Sequence, residues 1–286
     1  MRHSLILTLC LGGAVAVSGC QKSSDAEVER ALKDVNVIDE SNLNDIMLTV
    51  ADPNEAVAYF KKTLAQNPDR VDLKRGYAQS LIRAKRNPEA AQAWAAVVAD
   101  PNSTLDDKVE LADALIRNNK WDEAEKVLNQ VPPTHETFKR YRLEAMIADT
   151  QKKWDKADSF YETAVGLTTT PATTYNNWGY SKLTRGDYKA AEQKFGQAIT
   201  YDRNLFTAKN NLVLARGAQR IYDLPVVPMT QEERAQLLYT LALAAIKQGD
   251  VTIGKGLLRE AIDTNPQHFE AAVRSLKALE ANVSNG

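Results

Sequence analysis

Cysteine is almost absent from this chain of 286 residues: Cys10 and Cys20 are its two, and both fall within the first twenty positions. The remainder therefore holds no disulfide and no thiol chemistry, which suits an oxidising compartment. Neither sign of charge dominates, since 36 Lys and Arg face 37 Asp and Glu for a formal net charge of −1. A nucleic-acid binder would need a strong basic surplus on one face, so the balance argues against nucleic acid as a partner. Long apolar runs are missing as well. The run that opens the chain, Leu5 to Val17, has 13 residues, too few for a helix across a hydrocarbon core of ~30 Å.

Catalytic constellations are also lacking. His135-Glu136-Thr137-Phe138-Lys139 departs from a zinc-protease site at its fifth position, and it follows two prolines instead of lying inside a helix. Gly254-x-Gly256 has no strand before it and no phosphate-binding logic. The acidic pairs Asp106-Asp107 and Glu232-Glu233 read as charges at helix starts. The expectation is no enzyme, no metal, no cofactor and no small-molecule substrate.

What is present begins at the N-terminus. A basic start, Met1-Arg2-His3, precedes the apolar run, the pattern of a secretory signal peptide. It ends in Val17-Ser18-Gly19-Cys20, which resembles the bacterial lipobox. The resemblance implies that residues 1–19 are removed and that Cys20 carries a diacylglycerol and an acylated amine. One acyl chain binds a membrane marginally and two bind it stably, so such a cysteine is a permanent anchor. By analogy with bacterial sorting, Gln21 in place of Asp implies transfer to the inner leaflet of the outer membrane. Residues 20–36 then form a polar tether reaching at most ~50 Å.

The body repeats itself. Ala56, Ala90, Ala124, Ala157 and Ala191 follow one another at intervals of 34, 34, 33 and 34, each with a large residue four positions on: Phe60, Trp94, Leu128, Tyr161 and Phe195. The clearest unit is Ala172 to Leu205. In its first half Tyr175, Trp178, Gly179 and Leu183 fall at helical spacing, and in its second Ala191, Phe195, Ala198 and Ile199 do the same, either side of Gly186-Asp187. This is an antiparallel helical hairpin, small where the helices approach and large above and below. It resembles the tetratricopeptide repeat, which implies an all-α solenoid of such hairpins, each burying its apolar face on its neighbours.

Five repeats are expected over 37–205, a partial repeat and Pro-containing linker over 206–230, a further repeat over 231–268, and a polar-faced capping helix with tail over 269–286. Asp52-Pro53 and Asn87-Pro88 read as capping residues before a first-position proline, and Thr230-x-x-Glu233 as a capping box. Trp94, Trp121, Trp154 and Trp178 read as core. Segment 220–228, apolar but hostile to helix through Pro225 and Pro228, reads as packed along the solenoid rather than as a free recognition segment.

The candidate partner-binding groove runs over the first helices. Asn176-Asn177 and Asn210-Asn211 lie 34 residues apart and should stack, with Arg142 one repeat earlier and Tyr180 one turn later. Amides offer donor and acceptor to an extended backbone, and Tyr and Arg are frequent binding hot spots. These side chains are equally consistent with a solvated face or with amides satisfying neighbouring helix ends. Glu192, Lys194 and Gln197 are expected on the inert outer side.

Lipobox, tether and repeats together resemble the bacterial tetratricopeptide lipoproteins of secretion and pilus assembly. The unit YNNWGYSKLTRGDYKAAEQKFGQAI with the Leu224–Pro228 interruption resembles in particular the TadD family of the tight-adherence (Tad/Flp pilus) system. That resemblance implies a lipid-anchored protein on the periplasmic face of the outer membrane that helps a secretin pore assemble or localise. Its partners would be the secretin or other pilus-assembly components. A scaffold for another envelope system, a type IV pilus pilotin or a factor in outer-membrane protein insertion, fits the same residues.

Overall fold

Helices are the only regular elements of the computed structural model, which describes residues 43–284. The signal peptide expected at 1–19, Cys20, the tether to residue 36 and the first turns of the expected first repeat lie outside the described residues, as do 285–286. The described chain divides into two units between Asn102 and Ser103.

In the first unit residues 43–49 are helical (α1), followed by α2 (Pro53–Gln66), α3 (Val71–Arg83) and α4 (Asn87–Val98). Asp52 caps α2 by accepting from the amides of Asn54 and Glu55. Proline at the next position has no N–H to waste. At α4 the structure differs from the sequence reading. Asn87 is already helical, Arg86 occupies the cap without a side-chain bond to the backbone, and Arg86 instead pairs with Glu89. Val57, Leu81 and Ala90 form the core between α2, α3 and α4. The Arg83 guanidinium donates to the carbonyls of Met47 and Ala51 at 2.7 and 2.8 Å, closing the end of α1.

The second unit comprises α5 (Leu105–Arg117), α6 (Trp121–Leu128), α7 (Phe138–Thr150), α8 (Trp154–Gly166), α9 (Ala172–Thr184) and α10 (Tyr188–Tyr201). It continues with α11 (Phe206–Ala218), α12 (Gln231–Lys247), α13 (Val251–Thr264) and α14 (Glu270–Ser284). The ruler alanines Ala124, Ala157 and Ala191 have no exposed surface. Where the ruler residue is Gly254, an added Cβ would sit 2.5 Å from Ile246 of the facing helix, so not even alanine fits undisturbed.

The turns inside the hairpins are built alike. Lys85, Asn119, Lys152, Gly186 and Gly249 each take positive φ, and the next residue donates back to a carbonyl five residues earlier, as Asp187 does to Lys182 at 3.0 Å. This is the helix-ending Schellman arrangement. Arg220 continues the series, 34 residues after Gly186, with φ 60° and the bond from Ile221 to Arg216 at 3.0 Å. The chain thus ends α11 as it ends the other first helices, but no second helix follows.

Residues 221–229 take that place. Val227 packs on the core of α10 and α11, Met229 on Val213, Leu237 and Leu241, and Leu224 on that group and on the α12–α13 core. Val226 of this strap is fully exposed, and Asp223 and Pro228 are exposed as well. Thr230 and Glu233 form a capping box that starts α12. Among the four tryptophans, Trp94 and Trp178 are core, but Trp121 and Trp154 are half-buried. Each is the first residue of a second helix.

Candidate functional site

The first helices α7, α9, α11 and α12 present two rows in register. One holds Arg142, Asn176, Asn210 and Tyr239; four residues on, one helical turn away, the other holds Met146, Tyr180, Leu214 and Leu243. The 34-residue period relates the first three residues of each row, whereas Tyr239 and Leu243 follow Asn210 and Leu214 by 29 residues. Of these eight, only Arg142, Asn176, Asn210 and Tyr180 are candidates from the sequence. Met146 and Leu214 follow from the same ruler, but an isolated Met or Leu reads as core until its exposure is known. Tyr180 is 54% and Leu243 42% exposed.

The amides bond across helices. Asn211 donates to the Asn176 side-chain oxygen at 3.0 Å, and Thr240 donates to that of Asn210 at 2.8 Å. Asn177 lies 3.8 Å from the Met146 sulfur. The amides are thereby oriented, with part of their capacity spent between helices. Arg142 stands apart. Its guanidinium lies 5.7 Å from the Phe138 ring centroid, and its buried Nε has no hydrogen-bond partner.

Two cavities of about 450 Å³ open on this face. The first collects Asn176, Asn177, Tyr180 and Asn211 with Trp121, Met146, Asp149, Thr150, Tyr161 and Thr207. Asn210 and Arg142 are not on its wall. The second, beside it along α9 and α11, is lined by Leu183, Tyr188, Leu214, Ala218, Leu243 and Ala244, with Thr240, Lys247 and Gln248. One wall is therefore rich in amides and aromatic rings, and the other in aliphatic groups. Both volumes lie in the range of ordinary ligand pockets.

Asp149 anchors the first cavity. Its carboxylate accepts from Tyr161 Oη at 2.9 Å and Ser181 Oγ at 2.6 Å, joining α7, α8 and α9. Burial raises its pKa against those two bonds, and burial with the neighbouring carboxylate raises that of the Tyr161 phenol. Asp158 behaves oppositely. Burial opposes its ionisation, but hydrogen bonds from Lys182, Arg185 and Trp178 hold its pKa below the usual carboxylate range.

The outer side is less inert than the sequence suggested. Lys194 sits 3.5 Å from the Trp178 ring centroid, and Glu192 accepts from Arg216 at 2.8 Å. Among the described residues no cluster of His, Cys, Asp and Glu could hold a metal ion, and no helix is long and apolar enough to cross a membrane. His135 instead contacts Asp106 at 2.9 Å.

Comparison with known proteins places this architecture in a class. The tetratricopeptide-repeat model matches residues 48–103. No curated protein matches the chain. Among solved structures, it resembles the Cut9-Hcn1 hetero-tetramer of the APC/C with a TM-score of 0.59 at 13% identity, over 80% of this chain and 46% of that one. It resembles the human IFIT1 dimer with PPP-AAAA with a TM-score of 0.53 at 19% identity, over 79% of this chain and 59% of that one. A tetratricopeptide repeat protein from Parabacteroides merdae gives 0.53 at 11% identity, over 88% and 98%. The chain thus spans about half the length of the first two.

At such identities the likeness establishes the fold: an all-α tetratricopeptide-repeat solenoid. Proteins of this class are in general scaffolds for protein–protein interaction rather than catalysts.

Proposed function

We propose that the protein is a lipid-anchored periplasmic scaffold of the outer membrane that holds a partner on the groove face of its second unit and so supports assembly of a Tad/Flp pilus secretion apparatus, its secretin first of all. The observation that carries the binding part is the row Met146, Tyr180, Leu214 and Leu243, all on the walls of two open cavities, with the amides Asn176, Asn177 and Asn211 on the wall of one of them. A side chain exposed at one position is ordinary, but aligned exposed apolar residues beside oriented amides are what a protein interface uses. Anchoring is supported by the lipobox-like Val17-Ser18-Gly19-Cys20, and the system by the sequence resemblance of the Tyr175–Ile199 unit.

The test is capture of the secretin from envelope extracts of the native host by wild-type protein and by Tyr180→Ala, Leu214→Ala, Leu243→Ala combined. Hot-spot truncations cost at least ~2 kcal/mol each, so the triple variant should bind more than a hundredfold more weakly while keeping its helical circular dichroism. Gln193→Ala with Gln197→Ala, exposed on α10, should leave capture unchanged. Undiminished capture by the triple variant removes the groove. Capture of a different outer-membrane assembly complex in place of the secretin moves the scaffold to that system.

A further inference from the structure

Asp149 stands out among the acids of the second unit. It lines the amide-and-aromatic cavity, and it is the one formally charged residue on that wall. No ion pair engages it among the described residues. The cation whose field reaches it, Arg185, is bound by Asp158 at 2.6 and 2.7 Å. Arg142 lies seven residues back along α7, about 10 Å at the helical rise, and is stacked on Phe138. A carboxylate has about four acceptor positions, and Tyr161 and Ser181 occupy two. The remainder belong to a half-buried charge that the fold has not neutralised.

The surroundings of that charge suit one kind of guest. Trp121, Tyr161 and Tyr180 bring aromatic rings to the cavity, and aromatic faces attract cations, more strongly when water is excluded. Asn177 and Asn211 add amide oxygens that accept from a cationic donor. An anionic guest would meet Asp149 directly, and a purely aliphatic guest would bury its charge without a counter-charge, which is costly.

We propose that this cavity receives a cationic side chain, lysine or arginine, of the bound protein. The inference rests on the groove reading above and specifies what the partner must present there. The guest's aliphatic stem lies along Met146 and the rings, and its charged end reaches the carboxylate between α7 and α9. The neighbouring aliphatic cavity takes apolar side chains of the same partner, which sets the order of charges along the recognised segment.

The experiment uses the full chain, isotopically labelled, titrated with blocked pentapeptides Ala-Ala-X-Ala-Ala in which X is lysine, arginine, norleucine or glutamate. Lysine and arginine peptides should shift the Asn177 side-chain amide and the Trp121 indole and bind at least tenfold more tightly than norleucine. Asp149→Asn, which keeps an acceptor for Tyr161, should erase that preference. Tyr180→Leu, at an exposed position, should reduce it several-fold without touching the carboxylate.

Equal binding of norleucine and lysine, or an unchanged preference in Asp149→Asn, overturns the inference and assigns Asp149 to joining helices only. Should Asp149→Asn fail to fold, Tyr180→Leu decides in the same way. Secretin capture separates the two readings. Loss in the Tyr180, Leu214, Leu243 variant with full capture by Asp149→Asn overturns the cation site and leaves the groove, whereas full capture by the triple variant overturns the groove itself.

Discussion

Asp158 shows how much one side chain can tie together. From α8 it accepts the Trp178 indole at 2.6 Å, Lys182 at 2.8 Å and Arg185 at 2.6 Å, so one carboxylate fastens the hairpin of α7 and α8 to the next. Its pKa is depressed in the folded chain, burial being outweighed by these donors. The native state therefore binds its proton less readily than the unfolded chain does, and stability from this group is present above the unfolded value of 3.8 and lost as pH falls through the folded one. With the side chain about a quarter exposed, screening trims the charged hydrogen bonds, and Asp158→Asn should cost ~1–3 kcal/mol at pH 7. Urea unfolding from pH 7 to pH 3 should find the gap to wild type narrowing in acid; a constant gap would mean that charge is not the cause. Gly179 makes the same point through space, because a Cβ there would lie 2.6 Å from the Phe195 ring.

Among the elements the strap of residues 221–229 is the exception, since a segment without regular hydrogen bonding covers apolar surface that a second helix covers elsewhere. It is clasped at its start. Arg220 donates to both Asp250 oxygens at 3.0 Å, and the Tyr222 hydroxyl reaches the same carboxylate at 2.5 Å. Asp250 precedes α13 without capping it through its side chain, so removing that side chain releases the strap and leaves the helix start alone. In Asp250→Ala, amide exchange over 221–229 should accelerate about tenfold or more, the equivalent of at least one charged hydrogen bond. Helix α13 should exchange as before. Unchanged exchange in the strap would show that Leu224, Val227 and Met229 hold it without the clasp.

For the molecule as a whole, the proposed anchor would depend on a cysteine, whereas the repeats depend on a buried framework. Cys20→Ser should abolish partitioning into detergent while far-ultraviolet circular dichroism and the melting midpoint of the helical body stay unchanged, since a lipid chain contributes nothing to helix packing. Full partitioning of the variant would remove the lipoprotein reading. The sequence by itself determined the helical hairpins, because a 34-residue period of small and large residues has one packing solution that buries every copy against the next. It also determined the capping at Asp52 and Thr230, where the interaction is local. The cap at Asn87 was misread, since Asn and Pro alone do not say which residue first turns helical. Tertiary structure alone decided the surface: that Leu214 and Leu243 border an open cavity rather than core, that Lys194 lies on a tryptophan, and that Asp149 faces an aromatic wall without a cation. Such facts depend on residues from three or four helices meeting, and the contribution of each is invisible until the others are in place.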